Sequence, residues 1–233
     1  MDLDFMLSTL PAFVKAMWLT IKLSFFGIVF SFIIGLFCVL MGYFKWHFLE
    51  KICKIYIEFS RNTPLLIQLF FLYYALPKFG IHLEKIYGLN LLCLSVDESL
   101  RPSFACAVVG LSFLGGSYMA ESLRAGFEAV RKQQFEAGLS LGFSHFGNLR
   151  YIIMPQALNI SMPSLSANII FLIKETSVVS IIALPDLVTL MTSLNSLTYK
   201  TNELLLMLFL GYLCIILPLS FILSRVEKRL NYA

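Results

Sequence analysis

The feature that most constrains this chain is its run from Ala16 to Phe44, which carries a single charge, Lys22, near its start. A hydrocarbon core of about 30 Å is crossed by roughly 20 apolar helical residues. Four further stretches approach that requirement: Ile55–Leu76, Phe104–Ala120, Tyr151–Ile173 and Leu204–Ser224. Only 14% of the residues are charged, against about 25% in an ordinary soluble domain. That leaves too little polar surface to cover a globule in water. The expectation is an all-α integral membrane protein with five transmembrane helices. Residues 1–14 contain Asp2 and Asp4 but no Lys or Arg, so the basic start of a cleaved signal is missing, and the first apolar run is too long for a signal core.

The charges between the runs set a direction. Lys45, Lys51 and Lys54 fall in the first connection. Arg124, Arg131, Lys132 and Arg150 fall in the third, and Arg225, Lys228 and Arg229 in the tail. With five crossings these segments share one side, and they hold ten of the 18 basic residues. Because basic loops stay in the cytoplasm, the N-terminus is expected outside and the C-terminus in the cytoplasm. No linker or low-complexity run divides the chain, so residues 1–233 read as one membrane domain.

Several functions lack the residues they need. The five cysteines, Cys38, Cys53, Cys93, Cys106 and Cys214, are odd in number and show no CxxC spacing; small hydrophobes describe them better than a disulfide or zinc framework. His47, His82 and His145 lie far apart, with no HExxH pattern. No basic patch is interleaved with aromatics for nucleic acid. No G-x-x-x-x-G-K-[ST] loop is present, so any nucleotide chemistry belongs to another chain.

Two of the runs are interrupted. In "RNTPLLIQLFFLYYALP", Asn62 or Thr63 is placed to cap a helix that has Pro64 at its first position. Glu58 and Arg61 then either snorkel to the interface or flank a bend around a central cavity. The fourth run carries Pro155 and Pro163, the amide Asn168, and the cluster Lys174, Glu175, Thr176 and Ser177. Backbone groups freed by proline cannot face lipid, so this segment is expected to be buried in protein or to line water. Lys174 and Glu175 fit a transport pathway and equally fit a neutralised pair at the outer interface.

Between the third and fourth runs, Glu121, Arg124, Glu128 and Arg131 recur at helical spacing, as ladder pairs on a stalk leaving the membrane. Glu136, Ala137, Gly138 and Leu141 then make a short helix with a small-residue side. Gly142 can stop it in a left-handed conformation. Ser144 can cap a further piece bearing Phe143 and Phe146. A small-residue helix of this kind, about 136–146, suits a socket on another protein as well as it suits an interfacial turn.

The spacing of Glu136-Ala137-Gly138, three residues, Gly142, nine residues, Ile152, then Met154-Pro155 resembles the EAA signature of ATP-binding cassette importer permeases. It departs at Gly138 for Ala and at Met154 for Leu. "SRNTPLLIQLFFLYYALP", "MAESLRAGFEAV" and "NIIFLIKETSVVSIIALPDL" are similar to segments of the polar-amino-acid branch, over about residues 12–230. The resemblance implies a five-helix type I importer permease in a bacterial inner membrane. It implies a pore of two permease chains, identical or paralogous, and coupling helices seated in a cytoplasmic ATPase pair through Glu136, Ala137, Gly138, Leu141, Gly142 and Phe143. ATP and Mg would be used by that partner and no cofactor by this chain. An extracytoplasmic binding protein would deliver an amino acid to a path including Asn168, Ile169, Lys174, Thr176 and Ser177. Members that carry basic amino acids often have an acid after the Asn of the fourth span; Ile169 stands there, which implies a polar non-basic substrate such as glutamine, cystine or an acidic amino acid. The alternative is a secondary amino-acid carrier, for which a proton or sodium relay and an internal repeat are lacking.

Overall fold

The structure, a computed structural model, describes residues 2–94 and 96–231. Ten α-helices follow in chain order: α1 Leu3–Tyr43, α2 His47–Arg61, α3 Leu65–Phe70, α4 Tyr87–Cys93, α5 Arg101–Ala129, α6 Lys132–Ser140, α7 His145–Asn148, α8 Met154–Glu175, α9 Leu187–Thr198 and α10 Thr201–Asn231. Among the described residues, four helical stretches are long and apolar enough to cross a bilayer unaided: Leu3–Tyr43, Glu98–Ala129, His145–Ile182 and Thr201–Leu230. The predicted runs at the third, fourth and fifth positions fall inside these stretches, and the first overlaps its stretch up to Tyr43, with Phe44 as the C-cap.

The second run is not one helix. α2 starts at His47 and closes at Asn62; the chain then turns extended at Pro64, with ψ 141°. The continuation Leu65–Phe79 passes from α3 through a π turn and a 3-10 turn. Pro64 caps α3 instead of opening it, and the side chains predicted to cap α3 close α2. Asn62 Nδ2 donates to the Glu58 carbonyl at 2.7 Å and Thr63 Oγ1 to the Phe59 carbonyl at 2.8 Å. Gln68, itself buried, reaches back across the break. Its amide donates to the carbonyls of Ser60 at 3.1 Å and Thr63 at 2.9 Å, at a break where proline interrupts the helical ladder; the Ser60 carbonyl also accepts from the Thr63 N–H at 3.4 Å.

α5 is the central stave: 83% of its apolar window is buried, against 6% for that of α10. A helix buried on all sides must meet its neighbours with small residues where backbones approach. On α1, Gly27, Ser31 and Gly35 recur every fourth residue. A Cβ at Gly35 would lie 2.7 Å from Met119 Cβ and 2.8 Å from the Ala120 backbone nitrogen. Ser31 Oγ donates across the interface to the Leu111 carbonyl at 3.3 Å. At one end of the bundle the termini of α1 and α10 are tied. The Asp2 carboxylate pairs with the Lys200 ammonium and caps α1 through the Phe5 N–H at 3.0 Å. Those two contacts, Lys200 first, hold the Asp2 carboxyl below the usual carboxylate range. The opposite, basic end carries the α1–α2 turn, the foot of α5, and α6.

Candidate coupling helix and polar face

α5 runs on as a charged stalk. Arg124 bonds Glu121 at 2.9 Å and Glu128 at 2.9 Å. The ladder stops there: Val130 is extended and Arg131 becomes the N-cap of α6, so Arg131 does not join it as the spacing predicted. The predicted helix about 136–146 is two pieces, α6 and α7, with a turn between. Two hydrogen bonds define that turn, from Gly142 N–H to the Leu139 carbonyl at 3.0 Å and from Phe143 N–H to the Gly138 carbonyl at 3.2 Å. This is the Schellman pattern, and Gly142 supplies its left-handed residue at φ 86°. Ser144 then caps α7, its Oγ accepting from the Gly147 N–H at 3.1 Å.

The hairpin is closed by Asn148. Its side chain is fully buried, and Nδ2 donates to the Phe135 carbonyl at 2.8 Å. Gly138 makes the room: a Cβ there would lie 2.3 Å from Asn148 Oδ1. Leu141, at the tip, is 77% exposed and Phe146 is 62% exposed. The result is a rigid knob with apolar side chains turned outward, with Glu136 and Ala137 exposed beside it. The chain returns through a π turn at Leu149–Ile153 into α8, whose first turn holds Pro155. The wider turn accommodates a residue that has no N–H and whose ring crowds the preceding carbonyl.

A second set of polar groups lies higher, between α2, α5 and α8. Asn168 Nδ2 donates to Ser122 Oγ at 2.7 Å and to the Tyr118 carbonyl at 3.1 Å. Ser122 and Ser164 share a hydrogen bond of 2.6 Å. Arg61 pairs with Glu121 at 3.3 Å and lies over the Tyr118 ring at 5.4 Å. Sequence reasoning singled out Asn168 and Arg61 separately. It gave no role to Ser122 or Tyr118, which become partners only because α5 and α8 pack together.

The remaining predicted pathway residues scatter. Ile169 packs beside Met119 and Leu165. Lys174 is exposed and Glu175 half-buried, and they form no ion pair with each other among the described residues. Thr176 is fully buried, its hydroxyl donating to the Ile173 carbonyl at 2.7 Å. Ser177 is half-buried, its carbonyl accepting from Ser180 at 2.9 Å. Pro163, inside α8, is exposed. No cluster of His, Cys, Asp and Glu suited to a metal ion occurs among the described residues.

Comparison with known proteins gives the family. The family described as "Binding-protein-dependent transport system inner membrane component" matches residues 31–232. A probable amino-acid ABC transporter permease protein of Vibrio harveyi, PatM, is 32% identical over all of this chain and 97% of its own length. The glutamine transport system permease protein GlnP of Escherichia coli K12 is 29% identical, over 95% of this chain and 94% of its own. A crystal structure of an amino acid ABC transporter with histidines superposes with a TM-score of 0.82 at 31% identity, covering 98% of this chain and 99% of that one. The MetNI methionine ABC transporter, at 16% identity and a TM-score of 0.75, shares the fold. The secondary-carrier alternative finds no support among these relatives. The chain belongs to the family of inner membrane components of binding-protein-dependent transport systems, as an amino-acid ABC transporter permease that leaves ATP hydrolysis to a separate subunit.

Proposed function

We propose that this chain forms part of the translocation path of an ATP-driven importer for a polar, non-basic amino acid, and that the α6–α7 hairpin is where a cytoplasmic ATPase pair drives it. The carrying observation is the knob itself: Leu141 stands 77% exposed on a turn braced by the Asn148–Phe135 bond. An exposed leucine on a braced turn is built to enter a socket, and a stiff base transmits a push that a floppy loop would absorb. Glu136, Ala137, Gly138, Gly142 and Phe143 shape the knob. ATP and Mg are used by the partner, and a binding protein delivers the substrate on the opposite side.

In this proposal the N-terminus is outside, the C-terminus is cytoplasmic, and α2 with Leu65–Phe79 makes the second of five crossings. This places the basic end in the cytoplasm, in keeping with the distribution of Lys and Arg. Asn168, Ile169, Lys174 and Ser177 border the path, and Thr176, fully buried, lies behind it. A second permease chain, a copy or a paralogue, covers the face that exposes Arg61, Arg124 and Pro163. Ile169, apolar where basic-substrate members often place an acid, and the glutamine permeases among the relatives support the substrate class.

Gly142→Asp tests the coupling role. A side chain at φ 86° strains the turn, and the added carboxylate meets the socket. Uptake into vesicles containing the whole transporter is expected to be abolished and ATPase co-purification weakened, with membrane insertion unchanged. Normal co-purification would remove the docking role.

A further inference from the structure

A cavity of about 420 Å³ opens beside the coupling hairpin, between α1, α2 and the foot of α5. Its floor is apolar, made by Cys38, Cys53, Ile57 and Ala120. Its rim is ionic, and the charges do not cancel. Glu50 is held by Lys54 at 2.6 Å and Glu128 by Arg124 at 2.9 Å. Arg131 also lines the rim and enters no ion pair among the described residues. One cation is therefore left over. A second observation is independent of that charge: Tyr43, another wall residue, has a buried hydroxyl with no hydrogen-bond partner. A buried hydroxyl left unpaired costs about 1–3 kcal/mol, so a native acceptor is to be expected at this spot.

We infer that this cavity binds the phosphate headgroup of an anionic phospholipid, with the phosphate between Arg131 and the Tyr43 hydroxyl and the first acyl carbons on the Cys38–Ile57 floor. An inorganic phosphate would leave the apolar floor wet. A zwitterionic lipid would set its own cation against Arg131. Basic pockets between membrane helices on the cytoplasmic side favour anionic headgroups for the same reason. The inference takes only its membrane setting from the importer proposal. Lipid binding is measured in detergent without transport, so either can fail alone.

The test is native mass spectrometry of the full chain in detergent, titrated with phosphatidylglycerol or phosphatidylcholine. One phosphatidylglycerol per chain is expected to bind more tightly than phosphatidylcholine. Arg131→Gln is expected to weaken it about fivefold, the worth of one cation near an anionic headgroup, while Arg131→Lys retains it. Tyr43→Phe, which keeps the ring, should also weaken it. Lys228→Gln, on the exposed tail, should not; if it weakens binding as much as Arg131→Gln, retention is diffuse and the inference falls. Equal binding of the two lipids overturns it, as does an unaltered Arg131→Gln or Tyr43→Phe. Full competition by glycerol 3-phosphate would show a soluble phosphate site and overturn the lipid assignment.

Discussion

Gly138 and Gly142 are four residues apart and are glycine for unrelated reasons. Gly142 needs a left-handed backbone, and its place after a short helix announced that. Gly138 needs an absent side chain, because Asn148 folds back to within 2.3 Å of where its Cβ would lie. Its place on the small-residue side was legible; its partner was not, since Asn148 reaches it only once the hairpin has closed. Gly138→Ala restores the family's own residue and is nevertheless expected to harm this chain. The methyl group displaces Asn148 and breaks the bond to the Phe135 carbonyl, at about 1–3 kcal/mol for overpacking and a lost buried bond. Faster proteolysis at residues 138–148 in the variant would be the sign; an unchanged cleavage rate would show that Asn148 swings clear at little cost. Thr176 teaches the reverse lesson. Its hydroxyl suggested a wet path, yet it bonds the Ile173 carbonyl and is fully buried. Hydroxyls that turn back on their own helix leave no trace in sequence.

At the scale of elements, apolar length found the four helices long enough to cross a bilayer and merged two shorter ones. Ile55–Leu76 reads as one run because hydropathy does not register a broken ladder. Pro64 marked the break, but not how its carbonyls would be paired. That work falls to Gln68, eight residues beyond Ser60, a spacing no capping rule contains. Gln68→Leu keeps the volume and removes both donors. It leaves the Thr63 carbonyl without its partner, at about 1–3 kcal/mol for a group left unsatisfied, while the Ser60 carbonyl keeps the Thr63 N–H. A lower thermal midpoint in detergent is expected. A midpoint equal to wild type would mean that water serves these carbonyls instead.

The whole molecule is uneven in a way that one chain alone does not explain. α10 turns aromatic and aliphatic side chains outward, as a lipid-facing helix should. The face formed by α2, α5 and α8 instead shows Arg61 with 43% and Arg124 with 52% of the side chain exposed. Charged side chains are more stable against water, headgroups or another chain than against hydrocarbon. That face therefore favours water or another chain over hydrocarbon, and Lys174 is the residue that separates a path from a mere interface. It is exposed at the last turn of α8, with no ion pair among the described residues. As an anchor, its ammonium would do little beyond fixing the helix end, and Lys174→Ala would leave uptake unchanged. As part of the path, it presents a positive charge to the carboxylate of each passing amino acid. One such contact is worth about 1.5–3 kcal/mol, so Lys174→Ala is expected to lower uptake by about tenfold or more while the permease–ATPase complex still assembles. Lys174→Arg, which retains the charge, should recover a large part of that loss, and Lys228→Ala, removing a lysine on the exposed tail, should cause none.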